Sequence, residues 1–288
     1  MKAAPLSTHA PVVVVTGAGS GIGRSIALAF AARGARLHLT DLRQERLDVV
    51  AAELRAKGTT VTTHIVDSRD PAQVEALVAA VYAADGRVDV LCNNAGVGHA
   101  GHAHEVPIET WHEVIETNLL GPVHGIVAFL PRMLAQDGRS DIVNTASIAG
   151  LVGMPGMSAY CASKFGVVGL TEALAVELDP NKVRVHAICP GIINTNIVRD
   201  ARIQTMGAAD QQSAVDFYER YGAGPEAVAA DVLAAVDSGA TLRLSAPGPW
   251  WFLWRIKRLH HALYERIARF MGNQTLSRGF PGDKRPRG

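Results

Sequence analysis

Residues 12–23 of the chain read VVVVTGAGSGIG and decide its fold class. The apolar run Val12–Thr16 lacks the alternation of a half-exposed strand, which predicts a strand buried on both faces. The glycines from Gly17 to Gly23 permit a tight turn and let the backbone approach a bound group closely. A helical pattern follows, and the free N–H groups of a helix start attract phosphate. The stretch therefore predicts a unit that binds a nucleotide pyrophosphate, with a tight turn without a ligand as the alternative.

The same alternation of strand-like and helix-like patterns continues to Cys189, is interrupted over residues 192–224 and resumes from Pro225 to Ser245. The predicted strands are Val12–Thr16, Arg36–Thr40, Thr60–Val66, Val88–Cys92, Asp141–Ala146, Val183–Cys189 and Thr241–Ser245. The predicted helices are Ile22–Arg33, Arg43–Lys57, Pro71–Ala84, Ile108–Leu134, Ser158–Leu178 and Pro225–Ser238. Strict alternation with strands apolar on both faces predicts a parallel sheet covered by helices on both sides.

The length of 288 residues fits one α/β domain with additions at its ends. We expect an N-terminal arm over residues 1–10, a domain over residues 11–246 and a C-terminal extension over residues 247–288. Residues 192–224 have no strand pattern, and a connection this long is typical of a functional loop such as a substrate lid. The last ten residues, 279–288, predict a mobile basic tail.

The composition excludes several classes of protein. Hydrophobic residues make up 48% and charged residues 19%, which excludes a disordered chain. The net charge of +1 excludes a globally basic nucleic-acid binder. No run of eighteen uncharged apolar residues and no apolar signal core appear, so we expect no membrane-spanning helix and a cytoplasmic location. Cys92, Cys161 and Cys189 form no C-x-x-C pair, which predicts buried free thiols in a reducing compartment.

Polar side chains follow the predicted strands at the edge where parallel sheets bind ligands. Asp41 ends the second strand, where a carboxylate can accept both ribose hydroxyls and repel a 2′-phosphate. This position favours NAD over NADP, but Arg24 and Arg43 lie close enough in sequence to leave NADP open, and a turn-forming aspartate is the alternative. Asp67 ends the third strand, where we expect it to meet the adenine edge, and Asn93–Gly96 ends the fourth.

Tyr160 and Lys164 are four residues apart in a predicted helix, so they share one face. An ammonium near a phenol lowers the phenol pKa from about 10 toward neutrality, where a tyrosine can act as general acid or base. The pair alone is a weak signal because such spacings are common. It does not stand alone, because Ser147 lies just past the strand Asp141–Ala146 and Asn118 lies in the long helix before it.

Taken together, these motifs resemble the short-chain dehydrogenase/reductase family. The matching elements are T-G-x-x-x-G-x-G at Thr16–Gly23, N-N-A-G at Asn93–Gly96, Asn118, Ser147, Y-x-x-x-K at Tyr160–Lys164, and Pro190-Gly191 after the sixth strand. The resemblance runs in order from about Val12 to Ser245 and implies a single doubly wound α/β domain of Rossmann type. It also implies an NAD(P)-dependent oxidoreductase that moves a hydride between nicotinamide and a secondary alcohol or ketone.

The resemblance implies a role for each matched residue. Tyr160 would be the acid or base on the substrate oxygen, and Ser147 would hydrogen-bond that oxygen. Lys164 would hold the nicotinamide ribose and lower the Tyr160 pKa, and Asn118 would position a water behind Lys164. The residues expected to bind the cofactor are Gly17, Gly19, Ser20, Gly21, Ile22, Gly23, Asp41, Asp67, Asn94, Ala95, Gly96, Tyr160, Lys164, Pro190, Gly191, Ile193 and Thr195.

Apolar residues in the lid region and after Ser147 predict a lipophilic substrate, such as a steroid-like, aromatic or fatty carbonyl compound. They are Ile192, Ile193, Ile197, Val198, Ile203, Met206, Val215, Phe217, Tyr218, Val152, Met154 and Met157. The resemblance implies a homodimer or homotetramer built on the helices Ile108–Leu134 and Ser158–Leu178. The C-terminal extension departs from the shorter family pattern at the usual tetramer contact.

The C-terminal extension concentrates aromatic and basic residues. From Arg243 onward the chain has ten Lys and Arg residues against two acidic ones, so a near-neutral total hides an acidic body and a basic tail. Residues 250–270 combine three tryptophans with basic residues at roughly helical spacing. We favour a helix packed on its own core or on a partner subunit. A weak contact with an anionic membrane surface and a wall that lengthens the substrate cleft are the alternatives.

His99, His102 and His104 cluster in one segment, but no cysteine or carboxylate joins them at ligand spacing. We therefore expect a loop near the substrate and no metal site. Two other function classes remain open: a dinucleotide-binding regulatory module without turnover, and a peripheral membrane protein that acts through its basic C-terminal helix. The four filled catalytic positions favour the enzyme.

Overall fold

The computed structural model describes residues 10–199, 202–203 and 208–278. The arm up to residue 9, Met206 and the tail over residues 279–288 lie outside the described residues. The strands are β1 Val12–Thr16, β2 Arg36–Asp41, β3 Val61–Ile65, β4 Val90–Asn93, β5 His99–Ala100, β6 Ser140–Thr145, β7 Val183–Pro190, β8 Arg202–Ile203 and β9 Leu242–Ser245. The helices are α1 Gly21–Ala31, α2 Gln44–Ala56, α3 Pro71–Asp85, α4 Ile108–Ile115, α5 Gly121–Ala135, α6 Ser158–Glu177, α7 Asn196–Arg199, α8 Ala208–Tyr221, α9 Pro225–Ser238, α10 Trp250–Leu259 and α11 His261–Arg278.

Seven of these strands form one sheet in the order β3-β2-β1-β4-β6-β7-β9, and every pair in it is parallel. The predicted doubly wound α/β sheet of a single domain is therefore confirmed. The strand order reverses between β1 and β4, since the chain runs outward from β1 in one direction and from β4 in the other. Ligands of such sheets bind beyond the carboxyl ends of the strands at this reversal.

The valine run at the start of the chain is buried on both faces of the sheet because two cores meet there. Val13 and Val15 pack in the core that contains Phe30 of α1. Val14 packs in the opposite core, which contains Phe129 of α5. The absence of alternation in the sequence thus follows from helices covering both faces.

The long helix predicted over Ile108–Leu134 is interrupted. A five-residue π-helical segment, Glu116–Leu120, lies between α4 and α5. Among the described residues, the stretches Ile108–Ala135 and Ser158–Glu177 are long and apolar enough to cross a membrane by length and composition alone. Both contribute residues to the cores that cover the sheet. The absence of a membrane-spanning helix stays a prediction from the sequence.

The connection over residues 192–224 contains short secondary structure that the sequence did not predict. Helices α7 and α8 lie within it, and β8 pairs in parallel with β5. The prediction of a strand-free segment was wrong because a strand of two residues is too short to leave a periodic pattern. The ends of the segment are joined, since Asn194 N–H donates to the Ala223 carbonyl and Ala223 N–H to the Ile192 carbonyl, both over 2.9 Å.

The C-terminal extension forms two helices, α10 and α11, that meet at His260. Leu253 of α10 and Tyr264 of α11 are buried in a third core together with Ile148 and Val152. Of the two packings expected for the extension, on its own core or on a partner subunit, the inner face shows the first. The helices α10 and α11 are called the C-terminal hairpin below.

Candidate active site

The glycine-rich turn between β1 and α1 leaves no room for side chains. Gly17 and Gly21 have positive φ angles of 64° and 52°. A Cβ on Gly23 would lie 2.1 Å from the Gly17 carbonyl oxygen, and one on Gly21 would lie 3.2 Å from Thr195. No acidic residue occupies the first turn of α1, and the side chain of Ser20 makes no cap hydrogen bond there. The turn therefore has the close-packed backbone and free helix start that an anionic pyrophosphate requires.

A hydrogen-bonded clasp holds this turn to the end of β4. The Asn94 side-chain amide donates to the Thr16 carbonyl over 3.0 Å. The Thr16 hydroxyl accepts from the backbone N–H groups of Asn94 and Ala95 over 2.9 and 3.0 Å. Asn94 and Ala95, both predicted to contact the cofactor, thus also fix the two neighbouring strand ends relative to each other. A Cβ on Gly96 would lie 3.0 Å from Asn118 Oδ1, so glycine at this position lets the backbone after β4 pack closely against Asn118.

Asp41 lies beside the glycine turn, as predicted from its place after β2. Its Oδ2 accepts from Gly19 N–H over 3.0 Å and its Oδ1 from Arg43 N–H over 3.1 Å. Arg24 forms an ion pair with Glu53 over 2.7 Å, so its guanidinium is engaged away from Asp41. Sequence reasoning missed Arg46, whose Cβ would lie 2.7 Å from a Cβ on Gly19. Its position in the first turn of α2, close behind Asp41 in the sequence, was the signal available.

The Asp67 carboxylate is held by a neighbour. Arg69 pairs with it over 2.6 Å, and this bond lowers the pKa of Asp67. The Asp67 backbone N–H donates to Gln73 Oε1 over 2.9 Å. Contact between Asp67 and an adenine stays a prediction. In the structure the Asp67 carboxylate forms an ion pair with Arg69.

The predicted catalytic side chains come together at the start of α6 and the end of β6. Tyr160 and Lys164 lie one turn apart in α6, and Tyr160 hydrogen-bonds with Ser147. Lys164 Nζ donates to the Thr145 carbonyl over 2.9 Å and lies 5.7 Å from the centre of the Tyr160 ring. A Cβ on Gly150 would lie 2.5 Å from the Lys164 carbonyl oxygen, so glycine lets the turn after Ser147 pack directly on α6.

The expected lowering of the Tyr160 pKa is not what the structure shows. Burial raises the pKa of Tyr160, and its hydrogen bond with Ser147 only opposes this effect. Burial also lowers the pKa of Lys164 to about 8. The lysine amine donates to Thr145 and not to the phenol, so its charge does not outweigh the desolvation of the phenol. The Tyr218 side chain of α8 is close enough that its ionised form would raise the pKa of Tyr160 further.

Asn118 is fully buried in the π-helical segment. Its Oδ1 accepts from Val97 N–H over 2.8 Å, and its Nδ2 donates to the Val97 carbonyl over 2.9 Å and to Ser163 Oγ over 3.3 Å. The extra residue of a π turn redirects a side chain, and such turns are frequent at functional sites. Asn118 thus links the loop after β4 to the face of α6 that carries Lys164.

The residues after β7 divide between the site and the core. Thr195 borders the glycine turn, because it is the nearest neighbour of a Cβ on Gly21. Gly191 approaches Ala246 so closely that a Cβ would lie 2.3 Å from its carbonyl oxygen. Pro190 is the last residue of β7 and pairs with Ser245. Ile193 is buried in the core beneath α1, so only its backbone is available to a ligand.

Two apolar residues predicted to line the cleft point elsewhere. Val152 is fully buried in the third core, and Ile193 is buried in the first. The prediction was wrong for these two side chains because apolar composition does not distinguish a cleft wall from a core. Met154 is only partly buried and packs against the third core.

The C-terminal hairpin is hydrogen-bonded to the segment after Ser147. The sequence left the role of this extension open between a packed helix, a membrane contact and a wall of the substrate cleft. Lys257 Nζ donates to the Leu151 carbonyl over 2.9 Å. The Tyr264 hydroxyl accepts from Gly153 N–H over 2.9 Å. The signal in the sequence was the regular spacing of Leu253, Lys257 and Tyr264, but nothing in it named their partners.

The three histidines of the segment 99–104 do not converge. His99 is buried in β5, whereas His102 and His104 stack with ring centres 5.9 Å apart. Within residues 10–199, 202–203 and 208–278 no group of three or more His, Cys, Asp or Glu side chains is arranged to hold a metal. The three cysteines are free and buried.

Known proteins match this chain in sequence. The short chain dehydrogenase family matches residues 11–205. The chain is 36% identical over 242 residues to the probable oxidoreductase EphD of Mycobacterium tuberculosis. That match covers 82% of this chain and 41% of EphD, so the chain spans about two fifths of the length of this curated relative.

Solved structures match it in fold. A short chain dehydrogenase/reductase from Burkholderia phymatum in complex with NAD has a TM-score of 0.81 and 34% identity, over 88% of this chain and 95% of that one. A variant of actinorhodin polyketide ketoreductase with NADPH has a TM-score of 0.74 and 33% identity, over 84% of this chain and 97% of that one. The same sheet thus occurs in crystal structures with either nicotinamide dinucleotide.

Proposed function

Because this chain belongs to the short-chain dehydrogenase family, we propose that it is an NAD(P)-dependent oxidoreductase acting on a secondary alcohol or ketone. The observation that carries the proposal is the meeting of Tyr160, Ser147 and Lys164 at the carboxyl end of the sheet, next to the glycine turn. The close-packed glycines and the free start of α1 fit a nicotinamide dinucleotide. When bound, that cofactor supplies or accepts the hydride.

Each polar side chain then has a task that its contacts allow. Tyr160 gives a proton to the substrate oxygen or takes one from it. Ser147 already hydrogen-bonds with Tyr160 and is placed to donate to the same oxygen. Lys164 holds a positive charge below its pKa of about 8 and stabilises negative charge on the phenol as the proton leaves. Asn118 fixes the backbone around this lysine through its bonds to Val97 and Ser163.

The test of this proposal is Tyr160→Phe, which removes the proton and keeps the ring. We expect turnover of a ketone panel to fall by about 10²- to 10⁴-fold, while the dissociation constant for NADH stays within a few fold. Stopped-flow absorbance at the nicotinamide band measures the first quantity, and fluorescence titration measures the second. Undiminished turnover would overturn the assignment. Saturable NADH binding without turnover of any substrate by the unmodified chain would favour a regulatory module.

We propose NAD as the preferred cofactor, with NADP as the alternative. Support comes from the Asp41 carboxylate beside Gly19, which would repel a 2′-phosphate. Arg46 at the same turn supports the alternative, because a guanidinium there can pair with a phosphate. Asp41→Ser should therefore raise kcat/KM with NADPH relative to NADH by at least tenfold. If the unmodified chain prefers NADPH, the NAD assignment is wrong.

The substrate class follows from the surroundings of the site. We propose a lipophilic carbonyl compound, steroid-like, aromatic or fatty. Support comes from the edge-to-face rings of Phe217 and Tyr218 in α8, whose centres are 6.1 Å apart, and from the partly exposed Met154 in the segment after Ser147. A series of ketones of increasing alkyl length should show a falling KM. A KM that rises with chain length would exclude this class.

We also propose that the chain forms a homodimer or homotetramer. Exposed apolar side chains occur along α4, α5 and α6, among them Ile108, Val127 and Val176. A surface depression of about 410 Å³ lies along α4 and the π-helical segment, lined among others by Ile108, Trp111 and Leu120. Sedimentation velocity of the full chain measures the mass, and a monomer at micromolar concentration would exclude the assembly.

A further inference from the structure

The C-terminal hairpin has two faces, and the outer one is unpartnered within the described chain. Its orientation is fixed by the inner face, where Leu253 and Tyr264 are buried and Lys257 is bonded to Leu151. The outer face therefore projects away from the domain. It exposes five large apolar side chains, which are Trp251, Phe252, Leu259, Leu263 and Phe270, with 42%, 58%, 87%, 43% and 66% of their surface accessible. A cluster of this kind marks an interaction surface.

Basic side chains accompany these apolar residues. Arg255 lies over the Trp251 ring with its guanidinium carbon 5.2 Å from the ring centre, and Arg258 lies over Trp254 at the same distance. Residues 250–270 contain five Lys and Arg residues and one acid, Glu265. That acid pairs with Arg269 over 4.0 Å. The face thus combines the exposed indole ring of Trp251 with a net positive charge, in which Lys257 of the inner face is not counted.

We propose that this outer face is a docking surface for a bilayer that contains anionic phospholipid. Charge complementarity identifies the occupant, because cationic residues beside aromatic ones are typical of helices that lie in the interface of an anionic membrane. Tryptophan favours that interface because its ring is apolar and its N–H stays hydrated. The exposed apolar surface of α4 differs, since Glu109, Glu113 and Glu116 accompany it. The inference does not depend on the reaction proposed above.

The experiment is co-sedimentation of the full chain with vesicles of phosphatidylcholine alone or mixed with phosphatidylglycerol. We expect binding to the mixed vesicles and little to the neutral ones. The double variant Arg255→Gln with Arg258→Gln should weaken the binding by about 30-fold, since each basic residue near an anionic surface contributes a factor of about 5. Its matched control is Lys57→Gln with Lys182→Gln, two exposed lysines of other surfaces, which should leave binding unchanged.

The apolar contribution has its own matched pair. Phe252→Ser should lower binding several-fold, whereas Val49→Ser, an equally exposed apolar residue of α2, should not. Near-ultraviolet circular dichroism of each variant checks that the hairpin stays folded. Equal binding to neutral and mixed vesicles, or equal binding by Phe252→Ser and Val49→Ser, would overturn the proposal. A lower sedimentation mass of Phe252→Ser without vesicles would also overturn it, because the face would then join two copies of the chain.

Discussion

Lys164 and Lys257 make the same contact in two regions of the molecule. Each donates a hydrogen bond to a main-chain carbonyl over 2.9 Å, Lys164 to Thr145 and Lys257 to Leu151. Lys164 is almost completely buried next to Gly96 and Asn118. Lys257 is only partly buried and lies between aromatic faces, 4.3 Å from the centre of the Phe165 ring.

The comparison indicates that burial, and not the hydrogen bond, lowers the pKa of a lysine. Desolvation lowers the pKa of Lys164 to about 8, near the pH at which an acid or base can exchange protons. Desolvation also lowers the pKa of the partly buried Lys257, whose bond to Leu151 joins the C-terminal hairpin to the segment after Ser147. We therefore expect Lys164 to act in proton transfer at Tyr160 and Lys257 to stabilise the packing of the C-terminal hairpin.

The largest expected effect separates the two lysines by function. Lys164→Met should lower kcat by about 10²- to 10³-fold, because the charge that stabilises an ionised Tyr160 is removed. Lys257→Met should leave kcat within about threefold and mainly raise KM. Steady-state kinetics with a ketone and NADH measures both. Equal losses of kcat in the two variants would remove the distinction.

The pH dependence of stability sharpens the same comparison. Because the pKa of Lys164 is lowered on folding from 10.5 to about 8, the unfolded chain binds more protons between these values. The free energy of unfolding should therefore rise with pH across this window, relative to Lys164→Met, by at most about 3 kcal/mol. Below pH 8 both states hold the proton and the difference is constant. Lys257→Met should show a smaller pH dependence in urea unfolding, and parallel curves for Lys164→Met and the unmodified chain would contradict the expectation.

Close packing of the cofactor edge predicts an effect of glycine substitution. Gly23→Ala forces a Cβ to within 2.1 Å of the Gly17 carbonyl oxygen and should destabilise the fold by about 1–3 kcal/mol and weaken NADH binding. Gly169→Ala in α6 meets no atom within 4 Å and should stabilise by about 0.5–1 kcal/mol. Thermal unfolding distinguishes them. A stable, NADH-binding Gly23→Ala would show that the turn has room to adjust.

The smallest effect concerns the C-terminal hairpin. Tyr264→Phe leaves Gly153 N–H without its acceptor and should cost about 1 kcal/mol of stability. We expect a KM increase of a few fold with kcat unchanged, because the segment after Ser147 loses a contact and the proton donor does not. Kinetics and differential scanning calorimetry test this, and a loss of kcat equal to that of Tyr160→Phe would contradict it.

The fold was predictable from sequence because its signals are local. The valine run of β1 and the glycines after it specify backbone geometry directly, and both occur where predicted. Tyr160 and Lys164 were placed correctly because helical spacing alone puts them on one face. The π turn at Asn118 was not predicted, since one extra backbone residue per turn leaves no composition signal.

The electrostatics of the site could not be predicted in the same way. The Tyr160 pKa depends on whether the Lys164 amine points to the phenol or to Thr145, and spacing along a helix does not settle this. Arg46 and Tyr264 were missed because each meets its neighbour across a distance of many residues. Val152 was misplaced because core and cleft walls share one composition.

The two polar anchors of the C-terminal hairpin end on backbone atoms, the Leu151 carbonyl and the Gly153 N–H. A main-chain partner survives an exchange of the side chain it belongs to, except that proline at position 153 would remove the N–H. Side chains around Met154 can therefore be exchanged while the hairpin remains attached. This segment tolerates sequence change because the hairpin is hydrogen-bonded to its backbone and not to its side chains.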